Sequence, residues 1–253
     1  MKKIFDIIFI LLSIGLFSQS KNLKNNELLN KKKPAKQVVN KTPENNLIVL
    51  NENIPLLIPK KKNDNFGYIN QNGKFIITPE YHIAMFFGED CNLLNSPNPK
   101  AKKFGTAKFA TVEKNNTSYR IDQNGRIVYQ YKNADLGRCN TEFKKQLFHA
   151  YILNGLYGII EDSKFNNPSD RSQFKIYPKY QYLHILEGDD LSNPMIVASY
   201  KDKFGIIDVN NNIIIPFEYA DIKRNYSWKL GKMFEVTKDD INYYYIDSTN
   251  KSY

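Results

Sequence analysis

Three histidines, three of the acidic pairs and one alternating Asp/Asn run are the residues of this 253-residue chain whose types and spacing invite chemistry. His82, His149 and His184 are far apart, and no His-x-His or His-Glu-x-x-His pair prearranges a metal. They read as partly buried strand or loop residues. Glu89-Asp90, Asp189-Asp190 and Asp239-Asp240 could flank a sugar as the acid and nucleophile of a glycosidase. Each pair sits in a polar stretch between apolar runs, where solvated carboxylates are ordinary. Asp208-x-Asn210-x-Asn212 imitates the start of a calcium loop. The match fails at Ile213, where the loop needs Gly, and at Tyr219, where it needs a bidentate Glu. No Gly-x-Ser-x-Gly, Gly-rich phosphate loop or recognised nucleophile setting occurs. The sequence thus assigns no catalytic residue, no cofactor and no metal ligand.

The elements that must position these residues repeat themselves. Phe66-Gly67-Tyr68-Ile69-Asn70 leads through Gln71-Asn72-Gly73-Lys74 to Phe75-Ile76-Ile77, then Pro79 and Tyr81. Phe204-Gly205-Ile206-Ile207-Asp208 leads through three asparagines to Ile213-Ile214-Ile215, then Pro216 and Tyr219. Tyr157-Gly158-Ile159-Ile160-Glu161 reaches Ile176, Pro178 and Tyr180 after a longer polar insertion. Tyr119-Arg120-Ile121-Asp122 is a degenerate copy without the aromatic-Gly pair, and Tyr244-Tyr245-Ile246-Asp247 opens a fifth. Short runs of Ile, Val, Phe and Tyr between Asn/Asp/Gly clusters are strands joined by tight turns. Asn72-Gly73 and Asn124-Gly125 favour type I′ hairpin geometry. The Gly after the aromatic permits a bulge or a close backbone approach, and Pro79, Pro178 and Pro216 are expected to close the second strand. The fold class is all-β: four to five hairpin or three-strand repeats starting near 66, 118, 157, 204 and 243, arranged as a solenoid or propeller-like ring.

Cys91 lies 24 residues after Gly67 and Cys139 lies 20 after Tyr119, at similar points of adjacent units. Stacked repeats bring such points together. Two readings stay open: a bridge, stabilising by about 4 kcal/mol in the chain-entropy model, or two separate buried thiols. Aromatics cluster at Tyr243 to Tyr245, Tyr177 to Tyr182 and Phe86-Phe87. Core fill accounts for most of them, and sugar stacking would use the rest.

The unit of aromatic-Gly-hydrophobic-Ile-Asp/Asn, Asn-Gly, apolar triplet, Pro and Tyr resembles the WG repeat of bacterial envelope and secreted proteins. The resemblance covers roughly 66–253, with Phe-Gly or Tyr-Gly in place of Trp-Gly; the lone Trp228 lies outside the motif. It implies a β-repeat array used as an interaction module, and it implies no catalytic residue or ligand.

Residues 1–20 have a basic start, an apolar run from Ile7 to Phe17, and Ser18 and Ser20 placed for a cut after Ser20. That is the pattern of a signal peptide, and the run is too short to span a bilayer. Residues 21–65 hold ten lysines against four carboxylates and no aromatic residue. They are expected to be a mostly disordered linker, because little apolar surface is available to offset ordering entropy. Two short apolar patches, Leu47 to Leu50 and Ile54 to Ile58, could add an edge strand. The formal charge of +10 is concentrated there rather than on a folded aromatic face. This argues against nucleic acid and for weak contact with an anionic envelope surface. The expectation is an exported, non-catalytic protein that presents a surface to an unknown protein or glycan. The alternatives are an envelope polysaccharide hydrolase using loop carboxylates and a structural envelope component.

Overall fold

The computed structural model describes residues 47, 49–139, 145–166, 168 and 170–253; the expected signal segment 1–20 and the linker as far as residue 46 lie outside them. The described chain forms five antiparallel sheets in sequence order. The first holds β1 (Ile58–Lys62), β2 (Asn65–Ile69) and β3 (Phe75–Tyr81). The second holds β4 (Ile83–Phe87), β5 (Ala110–Lys114), β6 (Thr117–Ile121) and β7 (Ile127–Gln130). The third holds β8 (Phe148–Leu153), β9 (Leu156–Glu161) and β10 (Phe174–Tyr180). The fourth holds β11 (Tyr182–Ile185), β12 (Ile196–Tyr200), β13 (Lys203–Ile207) and β14 (Ile213–Tyr219). The fifth holds β15 (Asp221–Ile222), β16 (Phe234–Thr237) and β17 (Tyr244–Ile246). Three short helices, α1 (Cys91–Leu94), α2 (Pro99–Lys102) and α3 (Ser227–Gly231), lie in the connections.

The unit of structure is staggered against the unit of sequence. After β3 the chain crosses one residue, His82, and β4 joins the next sheet by pairing with β5. In the same way β11 pairs with β12 and β15 with β16. Each of these strands belongs by sequence to one repeat and by hydrogen bonding to the next. The first sheet is thereby tied to the second, the third to the fourth and the fourth to the fifth.

Two turn types alternate. The β1–β2, β5–β6, β8–β9 and β12–β13 hairpins turn on two positive-φ residues: Asn63-Asp64, Asn115-Asn116, Asn154-Gly155 and Lys201-Asp202. These are the type I′ hairpins. The Asn-Gly turns are different from the expectation, because only the Gly has positive φ (80° at Gly73, 78° at Gly125). The reason is the preceding Asx residue. Asn70 Oδ1 accepts from Asn72 N (3.1 Å) and Lys74 N (3.0 Å), and Asp122 Oδ1 accepts from Asn124 N (3.0 Å) and Arg126 N (2.9 Å). Asp208 repeats the pattern with Asn210 and Asn212, both at 2.8 Å, and Asp247 with Thr249 (2.8 Å) and Lys251 (3.1 Å). The side-chain oxygen caps the turn from inside and holds a three-residue loop with one left-handed residue.

The prolines do not close their strands. Tyr68 pairs with Ile77 and Phe66 with Tyr81, so Thr78-Pro79-Glu80 bulge opposite Gly67. The third sheet bulges Tyr177-Pro178-Lys179 opposite Gly158, and the fourth bulges Pro216-Phe217-Glu218 opposite Gly205. A bulge frees the backbone N–H from the ladder, so proline fits inside a continuing edge strand. A β-carbon on the glycines would lie 2.7 Å from Pro79 N, Pro178 N and Ile215 O respectively. Where Tyr119 replaces the glycine, β6 and β7 pair through Tyr119–Gln130 and Arg120–Tyr129 without a shift at that point.

Four apolar clusters fill the seams. The first and second sheets share Tyr68, Ile77, Tyr81, Ala110, Val112 and Ile121, with Leu57. The third and fourth share Ile159, Ile176, Tyr180, Leu183, Ile196 and Ile207. The fourth and fifth share Val197, Ile206, Ile215, Tyr219, Ile222 and Phe234. The last cluster joins the two ends of the array: Ile54, Ile58 and Ile69 meet Met233, Tyr245 and Tyr253, and Lys60 Nζ donates to the Tyr253 backbone oxygen at 2.6 Å. The array therefore curls until its ends meet, as in a ring rather than an open solenoid. The folded unit also begins before the expected boundary at 66, because Ile54, Leu57 and Ile58 are buried and β1 pairs along all of β2. Among the described residues, no apolar cluster joins the second sheet to the third.

Candidate binding surface

The repeat tyrosines show how the units are clasped. Tyr180 donates to Asn211 Oδ1 at 2.6 Å and Tyr219 to Asn250 Oδ1 at 2.6 Å. Tyr81 points to Gly125 O at 3.5 Å. Each tyrosine closes one unit and reaches the left-handed residue of the next unit's capped turn. Burial pushes the phenols of all three above their ordinary value, so they stay neutral donors. Phe66, Gly67, Gly73, Pro79, Tyr157, Gly158, Pro178, Phe204, Gly205 and Pro216 are all placed in this frame.

The residues singled out for chemistry are dispersed in it. Cys91 and Cys139 form a disulfide with Cα atoms 5.4 Å apart, tying the segment after β7 to α1. Asp90 caps α1, accepting from Asn92 N and Leu93 N. Asp190 caps a turn at Ser192 and Asn193, and Asp189 pairs with Lys232 at 2.8 Å. Asp239 accepts from Ile241 N and Asn242 N, and these bonds hold its carboxyl far below the usual range. These aspartates serve as turn caps and ion-pair partners. Asp208, the calcium-loop imitation, caps its hairpin turn instead. His149 Nε2 lies 2.8 Å from Asp162 Oδ1, and that bond, with Lys145 at 3.0 Å, holds the Asp162 carboxyl down. His184 is lowered by burial and by the nearby Arg224. Among the described residues, no group of three or more His, Cys, Asp or Glu is placed to hold a metal.

One row of side chains does run across three sheets. It is built from the aromatics that precede the repeat glycines, interleaved with residues of the strands passed between units. The Tyr157 and Tyr182 rings are 5.8 Å apart, and Tyr182 and Phe204 are 6.2 Å apart. The Arg224 guanidinium stands 5.4 Å over Tyr182 and 5.9 Å over Phe204 and pairs with Asp221 at 2.7 Å. Tyr243 donates to Asp221 Oδ2 at 2.9 Å, and Lys223 Nζ lies 4.2 Å from the Tyr243 ring centre. Burial and the Asp221 bond push the Tyr243 phenol up to about 12. The row offers half-buried ring surface, two cations and one carboxylate. Such a set stacks on planar or apolar groups and grips charge. Of the aromatics expected to divide between core and surface, Tyr180 and Phe86 are buried, while Tyr177 is exposed.

Arg120 carries no sequence signal of its role. It is 2% exposed, although its alternating neighbours read as an ordinary strand. Its Nε donates to Phe104 O, its Nη1 to Thr111 Oγ1, and its Nη2 to the carbonyls of Gly88, Thr106 and Phe109, all within 3.0 Å. The four carbonyl acceptors come from the 88–109 insertion, which folds over the outer face of the second sheet. Phe104 stacks on Tyr129 there, with centroids 4.8 Å apart.

The family model described as "WG containing repeat" matches residues 66–92 and 204–227. No curated protein matches the chain. A solved structure titled "Crystal structure of the eukaryotic initiation factor" aligns over 78% of this chain and 51% of its own, at 11% identity and a TM-score of 0.26. The chain thus spans about half of that protein, and so low a score carries no argument about fold or function. The glycine bulge and capped turn of 66–92 recur in 204–227, and these two segments are the ones that match the WG-containing repeat.

Proposed function

We propose that the chain is an exported, non-catalytic binding module that presents its repeat surface to a protein or glycan partner at the cell envelope. The observation that supports this reading is the row from Tyr157 through Tyr182, Phe204, Arg224 and Asp221 to Tyr243, which gathers recognition chemistry across three units. Among the described residues, no group of three or more His, Cys, Asp or Glu is placed to hold a metal. The export half rests on the basic, apolar and small-residue pattern of residues 1–20, and the lysine-rich stretch that follows would lie against anionic envelope surface.

The test uses the protein as its host makes it. Its intact mass should start at Lys21, and a mass that retains Met1 to Ser20 would remove the export half. The native protein and a Tyr182→Ala/Arg224→Ala variant are then compared for binding to immobilised envelope glycans and to envelope proteins. Retention by the native protein and its loss in the variant, with unchanged melting, supports the row as the surface. Equal retention by both overturns it. Polysaccharide cleavage that is abolished by Asp189→Asn/Asp190→Asn would replace the binding reading with the hydrolase alternative.

A further inference from the structure

β8 is the strand that stands out when edges are compared. In the second, fourth and fifth sheets the first hairpin strand is covered by a strand handed on from the preceding unit. In the third sheet no described strand takes that place, and β8 is itself the edge. The consequence is visible on equivalent residues. Counting back from the type I′ turns, Val197 and Ser199 of β12 correspond to Ala150 and Ile152 of β8. Val197 is fully buried and Ser199 is 6% exposed, whereas Ile152 is 56% exposed and Ala150 is also exposed.

Other edges are blunted in ways this one is not. β1 carries Lys60, Lys61 and Lys62. β3, β10 and β14 carry prolines in bulges. β4 is bulged, and its Met85 carbonyl accepts from the Tyr68 hydroxyl at 2.7 Å. β7 and β11 have four residues and β15 has two. β8 is six residues of Phe-His-Ala-Tyr-Ile-Leu, with no bulge against β9 and no Lys, Glu, Asp or Pro.

The turn fixes which backbone groups are free. In a two-residue I′ hairpin the flanking residues form a hydrogen-bonded pair, here Leu153 and Leu156. Pairs then alternate back along the strand, and the bond from Asp162 N to Leu147 O at 2.9 Å keeps that phase. The odd-numbered residues of β8 therefore bond to β9. Phe148, Ala150 and Ile152 direct their N–H and C=O outward.

We propose that this edge pairs with β8 of a second copy, antiparallel about a two-fold axis at Ala150. In that register Ala150 faces Ala150 of the second copy, Phe148 faces Ile152, Leu147 faces Leu153, and His149 faces Tyr151. Every outward N–H meets an outward carbonyl, because antiparallel pairing of one strand with itself matches the alternation on both sides. The residue on the axis is small, no charged pair is opposed, and Leu147, Ile152 and Leu153 (43%, 56% and 36% exposed) lose water together. A second copy is the occupant whose strand has this length, this phase and this lack of charge. The paired edges join two third sheets into one continuous sheet. This inference is independent of the aromatic row.

The test is sedimentation velocity of the native protein over a concentration series, beside Ala150→Pro and Ile152→Lys variants. Proline at 150 removes one outward N–H and leaves the β8–β9 ladder intact; Ile152→Lys sets a charged side chain against Phe148 of the second copy. The expected result is a native dimer and two monomeric variants with native circular dichroism. An Ala150→Cys variant, oxidised, should cross-link to itself in the native register. A native protein that stays monomeric across the series overturns the proposal, and so does a dimer that survives both substitutions.

Discussion

The fourth–fifth seam and the second–third seam begin from the same repeat and end in opposite chemistry. In the fourth sheet Val197, Ile206 and Ile215 line up across three strands and share a dry core with Ile222, Phe234 and Val236. In the second sheet the same three places are Thr111, Arg120 and Tyr129. An arginine cannot face an apolar neighbour sheet without partners, and here the 88–109 insertion supplies them. The third sheet answers in kind: Phe165, from its own polar insertion, packs on His149 at 4.6 Å and on Tyr151 at 6.0 Å. Each unit caps its own face. A repeat array can therefore lose one shared seam, provided that each side gains an insertion to cover what the neighbour leaves bare.

The largest effect should come from making the dry seam resemble the capped one. Ile206→Arg buries a charge with no carbonyl cage, a cost of several kcal/mol. No cooperative urea transition should remain. A variant that melts like the native protein would show that the fourth–fifth seam is open to water.

Next is the reverse change. Arg120→Met leaves four insertion carbonyls without their donor and should cost about 3–5 kcal/mol. Hydrogen exchange should rise in 88–109 and stay native in β13 and β16. Uniform loss of protection over the whole chain would mean that Arg120 holds more than its own cap.

The glycine bulges should respond alike. Gly67→Val and Gly205→Val push a side chain into backbone of the facing strand, and each should lose at least ~1–3 kcal/mol. Gly88→Val, whose added β-carbon has 3.9 Å to its nearest neighbours, should be tolerated better. Tyr119→Gly should stabilise little, since its strand pairs without the bulge. Urea melts of the four variants compare them, and unequal losses at Gly67 and Gly205 would break the equivalence of the two matched repeats.

Much of this frame can be read from the residues. The aromatic-Gly pair, the Asx turn and the later tyrosine each have one physical reason to recur, and each recurs in place. Two features are not legible. The passage of β4, β11 and β15 into the next sheet happens at His82, Gln181 and Ala220, single residues that carry no Gly, Pro or Asn signal. Arg120 sits in a strand alternation that suits an exposed charge, and its carbonyl acceptors lie 11 to 32 residues away on an irregular segment. The aromatic row is half legible: Tyr157, Phe204 and Tyr243 follow from the repeat, whereas Arg224 depends on how the fifth sheet meets the fourth.

The smallest effect is expected from acid. Burial and Arg224 depress His184 below the ordinary imidazole value of 6.5. The unfolded chain then binds the proton more readily, so this stability is present above pH 6.5 and falls as pH drops through the window beneath it. His184→Gln should flatten the melting temperature just below pH 6.5, while leaving the lower-pH loss from capped carboxylates such as Asp239 and Asp162. An unchanged profile would remove His184 from the fourth–fifth rim.

The most direct measurement is a pair of double-mutant cycles on unfolding free energy. One combines Ile206→Ala with Ile222→Ala across the dry seam; the other combines Tyr129→Ala with Tyr151→Ala across the capped one. Residues that share a core couple by about 0.5–3 kcal/mol, and residues without shared partners add within about 0.5 kcal/mol. Coupling in the first cycle and additivity in the second is the predicted result. Equal coupling in both would contradict the claim that the second and third units each close their own face.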